Sequence, residues 1–282
     1  MEVKISAQDV NKLRQMTGAG MMDCKKALVE AGGDIDAAID WLRKKGQKVA
    51  ANRADREAKE GACLALTSHN RNNGVVLKLN CETDFVAKNE KFVDLANAVG
   101  AIVLKNLPAT LDDLLALPFE GALTIGEKMV EQTGLIGEKI EVSGYAKLET
   151  AAGEGQVLAY VHMGNRAAVI VALNLEGTEY IDGGRNVAMQ VAAMRPVALD
   201  KDGVDATMIA KEIEIGKDLA RQEGKPEAML DKIAQGRLEK FYKESTLLNQ
   251  VYVKDGSMTV AAYMKSLHKD LTATAFRHVT LG

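Results

Sequence analysis

Two stretches of this chain repeat one another at a fixed distance, so any fold it adopts must be built in two related parts. Gly61-Ala62-Cys63-Leu64-Ala65-Leu66 superposes on Gly155-Gln156-Val157-Leu158-Ala159-Tyr160 at a shift of 94 positions. The same shift, without a gap, places Val75 on Val169, Leu79 on Leu173, Asn80 on Asn174 and Glu82 on Glu176. In each copy a first run alternates (Cys63, Ala65; Val157, Ala159), a polar turn follows (residues 69–73 and 163–166), and a more continuous apolar run comes next. That is the pattern of a half-buried strand, a turn and a buried strand. A helical pattern ends each copy. The expected fold class is therefore α+β, with a duplicated antiparallel-sheet core flanked by helices.

Around this core the chain divides into segments. Residues 1–46 predict a three-helix module: Ser6 caps a first helix bearing Val10, Leu13 and Met16, and residues 17–20 interrupt it. A second helix runs to Ala31, where Gly32-Gly33 stops it, and Asp34 caps a third with Ile35, Ala38, Ile39 and Leu42 on one face. The module resembles a ubiquitin-associated-type domain, which at fold level implies a docking unit. Two successive helical positions do not face one core, so one of Met21 and Met22 is expected to reach outward as an adaptable apolar contact. Residues 47–60 are basic and poor in large apolar side chains, the composition of a linker or a solvated helix. The first core half is assigned to 61–140 and the second to 141–282. Within the second, Ile209, Ile213, Gly216 and Ala220, a turn at Gly224-Lys225-Pro226, and Leu230, Ile233, Leu238 and Phe241 predict a protruding antiparallel helical hairpin over 205–245. Such an arm suits contact or dimerisation.

The stretch with most to say about function is Asn80-Cys81-Glu82-Thr83-Asp84-Phe85-Val86-Ala87-Lys88-Asn89. It follows the apolar run Val75-Val76-Leu77-Lys78-Leu79 and precedes a helical pattern through Phe92, Leu95, Ala96 and Val99. A large aromatic at this strand-to-helix junction either fills the core or faces a partner beside its carboxylate. In the second copy the turn Gly177-Thr178-Glu179-Tyr180 keeps an acidic-aromatic pair, which suits packing equally well. Between the copies, Thr124-Ile125-Gly126-Glu127 matches a capping box, and the helix it opens ends at Leu135-Ile136-Gly137-Glu138, either an apolar knob or a simple C-cap.

Composition narrows the function classes. With 36 Lys+Arg against 39 Asp+Glu, the formal charge of −3 provides no global basic field for nucleic acid. Cys24, Cys63 and Cys81 have no metal or redox spacing, no secretory leader pattern opens the chain, and no apolar run has the length of a membrane span, so a cytoplasmic setting is expected. Phosphate-loop, dinucleotide, zincin and hydrolase motifs are absent, and His69, His162, His268 and His278 are scattered. These features point to a protein that acts by binding rather than by covalent chemistry.

Leu13-Arg14-Gln15-Met16-Thr17-Gly18-Ala19-Gly20-Met21-Met22-Asp23-Cys24-Lys25-Lys26-Ala27-Leu28, with Gly33-Asp34-Ile35 after it, resembles the signature of the bacterial translation elongation factor Ts family. Cys81-Glu82-Thr83-Asp84-Phe85-Val86-Ala87 resembles that family's second signature. The resemblance implies a guanine-nucleotide exchange factor that binds elongation factor Tu in its GDP form. Such a factor promotes GDP release by disturbing the magnesium and phosphate site, so that GTP can load. It implies that Thr83, Asp84, Phe85 and Val86 form the segment that dislodges magnesium, with Phe85 as a wedge and Asp84 supporting it. Arg14, Met21 and Met22 match positions that grip the same partner domain, Ile136 and Gly137 a contact near the nucleotide, and His162 a contact from the second core half. It implies no cofactor, no metal, no catalytic residue, no direct nucleotide or nucleic-acid binding and no membrane, and leaves open a homodimer through the hairpin or a 2:2 complex. The chain ends at Gly282, just after the last strand, without the additional C-terminal helix of some members, which leaves open any partner contact made by that helix. The alternative is a non-catalytic adaptor or dimeric scaffold that docks through the three-helix module, with an affinity indifferent to guanine nucleotide.

Overall fold

The computed structural model describes residues 5–121 and 123–282; the first four positions of the expected three-helix module lie outside them. The described chain is α+β and forms two compact units, one built from residues up to Cys63, Leu77–Tyr145 and Thr280–Gly282, the other from Leu64–Val76 and Ala146–Val279.

In the first unit, α1 (Ala7–Thr17), α2 (Met21–Glu30) and α3 (Ile35–Arg53) close over Leu13, Cys24, Ala27, Leu28 and Ala38. Local chemistry sets their starts: Ser6 and Asp9 form a reciprocal capping box on α1, and the Asp34 carboxylate accepts Ala37 N at 2.8 Å on α3. The third helix continues to Arg53, through residues whose composition is that of a linker or solvated helix. Then follow β1 (Glu60–Thr67), β2 (Asn73–Cys81), α4 (Asp84–Ala87), α5 (Glu90–Asn106), α6 (Leu111–Ala116), β3 (Pro118–Glu120), β4 (Leu123–Thr124), α7 (Ile125–Ile136) and β5 (Glu141–Glu149). The capping box at Thr124 and Glu127 opens α7 as the spacing predicts. Inside this unit α3 crosses α7 where Gly46 meets Gly134; a Cβ on Gly134 would lie 2.3 Å from Gly46 Cα, so this approach needs glycine.

The second unit carries β6 (Gln156–Val161), β7 (Ala167–Leu173), α8 (Ile181–Met194), α9 (Ala206–Gln222), α10 (Leu230–Ser245), β8 (Val251–Tyr252), β9 (Asp255–Thr259), α11 (Val260–Leu267) and β10 (Ala273–Thr280). β6 and β7 pair antiparallel, Gln156 opposite Leu173 and Val161 opposite Ala168. The α9–α10 hairpin packs Gly216 onto Ala234 and is bridged by Lys217–Asp231 (2.9 Å) and Arg237–Glu223 (2.7 Å). Two element starts differ from the sequence pattern. The residue pattern predicts a short helix over 187–194, but α8 begins six residues earlier, because Gly183 and Gly184, which dilute the helical signal, are buried there against leucine side chains. The residue pattern also predicts a helix starting near Ser257; α11 begins instead at Val260 under a Thr259 cap, since Asp255–Thr259 is drawn into pairing with β8.

The duplication is written into the backbone. The sheets run in the orders β1-β2-β5 and β10-β7-β6, so the second strand of each copy is central, as its continuous apolar run predicts. Gly61 and Gly155 share a φ of +145° and +143°, and a Cβ on either would sit 2.0 Å from the carbonyl oxygen of Leu79 or Leu173, positions that are themselves related by the shift. The Asn80 and Asn174 amides donate to the Glu60 and Asp270 carbonyls at 2.9 and 2.8 Å. The non-glycine residues with positive φ among those described also come in pairs. Arg71 (58°) matches Asn165 (54°) at the 94-residue shift, while Leu107 (47°) and Arg195 (45°) each cap their copy's helix and precede Pro108 and Pro196. At that last pair the shift has fallen to 88, so the second copy is six residues shorter between strand and helix end.

Candidate functional site

The segment after β2 is short, rigidly fastened and apolar at its tip. Thr83 is the N-cap of α4, its hydroxyl accepting Val86 N, and Asn89 caps α5 afresh, so the chain makes two helices rather than one. The restart removes Phe85 from the face that buries Phe92, Leu95, Ala96 and Val99. Phe85 is 84% exposed, which settles its placement against the core.

Three anchors hold this tip. Glu138, just beyond α7, accepts from Thr83 N (3.0 Å) and Thr83 Oγ1 (2.7 Å). Glu82 accepts both Arg53 Nη1 contacts (2.7 and 2.8 Å) and Lys139 N (2.7 Å). Burial alone would raise the Glu82 pKa; the Lys139 N–H and the Arg53 guanidinium outweigh it and hold the carboxyl below its ordinary value. Asn80 is fixed in turn by Ser143. Asp84 pairs with Lys88 at 2.6 Å, and that hydrogen bond keeps its carboxyl below the usual range. Burial, with the Glu138 and Glu60 carboxylates nearby, pushes the Cys81 thiol up to about 12, so it is a neutral packing group at physiological pH.

The remaining expected residues lie on other elements of the two units. Ile136 ends α7 at 37% exposure and Gly137 caps it in the left-handed region (φ 83°), so the apolar knob and the C-cap coexist. Through Glu138 this corner is tied directly to Thr83. Val86, Ile136, and Thr17 and Gly18 at the end of α1 line one cavity of about 450 Å³ together with Phe92 and Phe119. Arg14 is exposed in the last turn of α1. Met21 and Met22 are 55% and 74% exposed; both reach outward, not one, because the inner face of α2 is already filled by Cys24, Ala27 and Leu28 from its second turn onward. His162 is exposed in the second unit, its Nδ1 3.1 Å from the Tyr160 hydroxyl. The anchors Arg53, Glu138 and Lys139 escape sequence reading because their partners are 29 to 57 residues away, where no local period links them. Among the described residues no cluster of metal-ligating side chains occurs, and no helix is long and apolar enough to cross a membrane.

Comparison with known proteins agrees across the chain. Residues 82–282 match the family model described as elongation factor TS. Elongation factor Ts of Flavobacterium psychrophilum is 53% identical over 278 residues, covering 99% of both chains. That of Christiangramia forsetii is 51% identical with the same coverage, and that of Porphyromonas gingivalis 43% identical over 99% of this chain and 98% of its own.

Proposed function

The chain belongs to the elongation factor Ts family, and from that premise we propose that it binds elongation factor Tu and drives GDP off it through the Thr83–Val86 tip. The observation that carries this reading is the 84% exposure of Phe85 on a segment fastened by Glu138, Arg53 and Lys139. An aromatic held in water forgoes roughly 1.5–3 kcal/mol of burial, which a partner that covers it recovers. Exchange requires that this gain be larger in the nucleotide-free partner. By linkage, whatever factor favours that state weakens nucleotide by the same factor, typically about 5–150-fold for a coupling of about 1–3 kcal/mol.

The roles divide accordingly. Phe85 is the wedge and Asp84 sits beside it as a stable anion; Thr83 locks their backbone; Val86 and Ile136 with Gly137 form an apolar shoulder near the nucleotide end. Arg14, Met21 and Met22 grip the same domain, the methionines adapting their shape to it, and His162 supplies a contact from the second unit. None of these steps makes or breaks a covalent bond.

The test is release of a fluorescent GDP from elongation factor Tu. Wild-type protein is expected to accelerate release, and Phe85→Ala to slow it about tenfold or more while keeping the wild-type unfolding midpoint. Release unaffected by the wild-type protein would overturn the reading.

A further inference from the structure

The second unit holds a cavity of about 290 Å³ lined by Thr67, Ser68, His69, Arg71 and Arg185, with aliphatic side chains completing its walls and no carboxylate among its lining residues. Its basic side chains come from separate elements: His69 and Arg71 from the turn between β1 and β2, Arg185 from the start of α8. Arg71 is fixed in place. Its Nε donates to Gln156 Oε1 at 3.0 Å, Gln156 is fully buried, and Gln156 Nε2 donates onward to the Gly177 carbonyl at 2.8 Å. One edge of the guanidinium is thereby spent on orientation, and its Nη groups have no acceptor among the described residues. Arg185 is exposed and likewise enters no ion pair among them.

The duplication makes Arg71 conspicuous. Its position demands a left-handed backbone, and the other copy meets that demand with Asn165, a residue type that tolerates it. The first copy instead places a long cation there.

We propose that this cavity is an anion site that takes a phosphate group, gripped by the side chains of Arg71 and Arg185. Guanidinium forks match phosphate oxygens two at a time, and donors on two elements suit a group with several terminal oxygens better than a planar carboxylate. The cavity has room for the phosphate and for part of whatever carries it. The site shares no residue with the Thr83–Val86 tip and does not depend on the exchange reading.

The test follows the Nε–Hε resonances of Arg71 and Arg185 in the full chain during titration with inorganic phosphate, with adenosine monophosphate, and with acetate. Saturable shifts of both arginines by either phosphate compound, with acetate weaker, are expected. Tighter binding of the nucleotide assigns the site to phosphate esters; equal or weaker binding assigns it to the free ion. Arg185→Gln, an exposed change that leaves Gln156 satisfied, is expected to weaken binding about tenfold or more while leaving the unfolding midpoint and GDP release from elongation factor Tu unchanged. Absence of saturation at millimolar phosphate, equal response to acetate, or wild-type affinity in the variant overturns the proposal. So does slowed GDP release without phosphate binding, which would make Arg185 a contact for a protein partner.

Discussion

The two copies leave their central strands in different ways. After β2 the chain builds α4, a four-residue helix that holds Phe85 in solvent; after β7 the corresponding turn, Thr178–Tyr180, lays Tyr180 against the second core, edge-on to His268 with ring centroids 6.1 Å apart. The frame around the two exits is shared down to its glycines and its left-handed helix caps. What differs is six residues of chain between strand and helix end, and those extra residues hold the exposed aromatic. A duplicated frame can keep one exit as packing and release the other for contact.

The hardest way to break the comparison is at its shared glycines. Gly61→Ala and Gly155→Ala each force a Cβ into a carbonyl oxygen 2.0 Å away, in backbone that cannot move without unpairing a strand. Each is expected to cost about 3 kcal/mol or more in urea unfolding, by overpacking and backbone strain together. A mild effect at one site and a severe one at the other would show that the copies are not mechanically alike.

The aromatic pair comes next. Tyr180→Ala removes a half-buried ring from a packed cluster and is expected to lower stability by roughly 2 kcal/mol, less than a fully buried aromatic would. Phe85→Ala is expected to stay within about 0.5 kcal/mol of wild type, as for an exposed side chain without structural partners. Equal losses would place Phe85 in the core after all. Between these two falls Glu138→Gln, which keeps the shape but weakens two charge-assisted bonds to Thr83: roughly 1–2 kcal/mol in stability is expected, with slower GDP release because the tip loses its fixed backbone.

Most of the frame was legible from sequence because it is local or repeated. Capping residues such as Ser6, Asp34 and Thr124 act within one turn, and the ungapped superposition exposed the two strand pairs without any knowledge of their partners. Phe85 was only half legible. A phenylalanine at a helix start has the same spacing whether it points in or out, and the outcome turned on Asn89 starting a second helix in a new register. The clamps on Glu82 and Thr83 and the Gly46–Gly134 crossing were silent, since each joins residues that only the folded chain brings together. Both exposed methionines contradict a rule that assumes a core reaching the first turn of α2.

The finest distinction between the copies concerns Glu82 and its counterpart Glu176. Glu82 is enclosed by Arg53 and Lys139 N, whereas the Glu176 carboxylate accepts the Gly153 N–H at 3.0 Å. Folding lowers the Glu82 pKa from its ordinary 4.5, so the folded chain binds fewer protons at this group than the unfolded chain between the two values. The stability it contributes is therefore complete above about pH 4.5 and fades as pH falls through the folded value. Chemical unfolding of wild type and Glu82→Gln across that range is expected to show the two curves converging as the solution is acidified, with wild type more stable above it. Convergence on raising the pH instead would mean that Glu82 is held as the acid, and that Arg53 neither pairs with it nor steadies the tip.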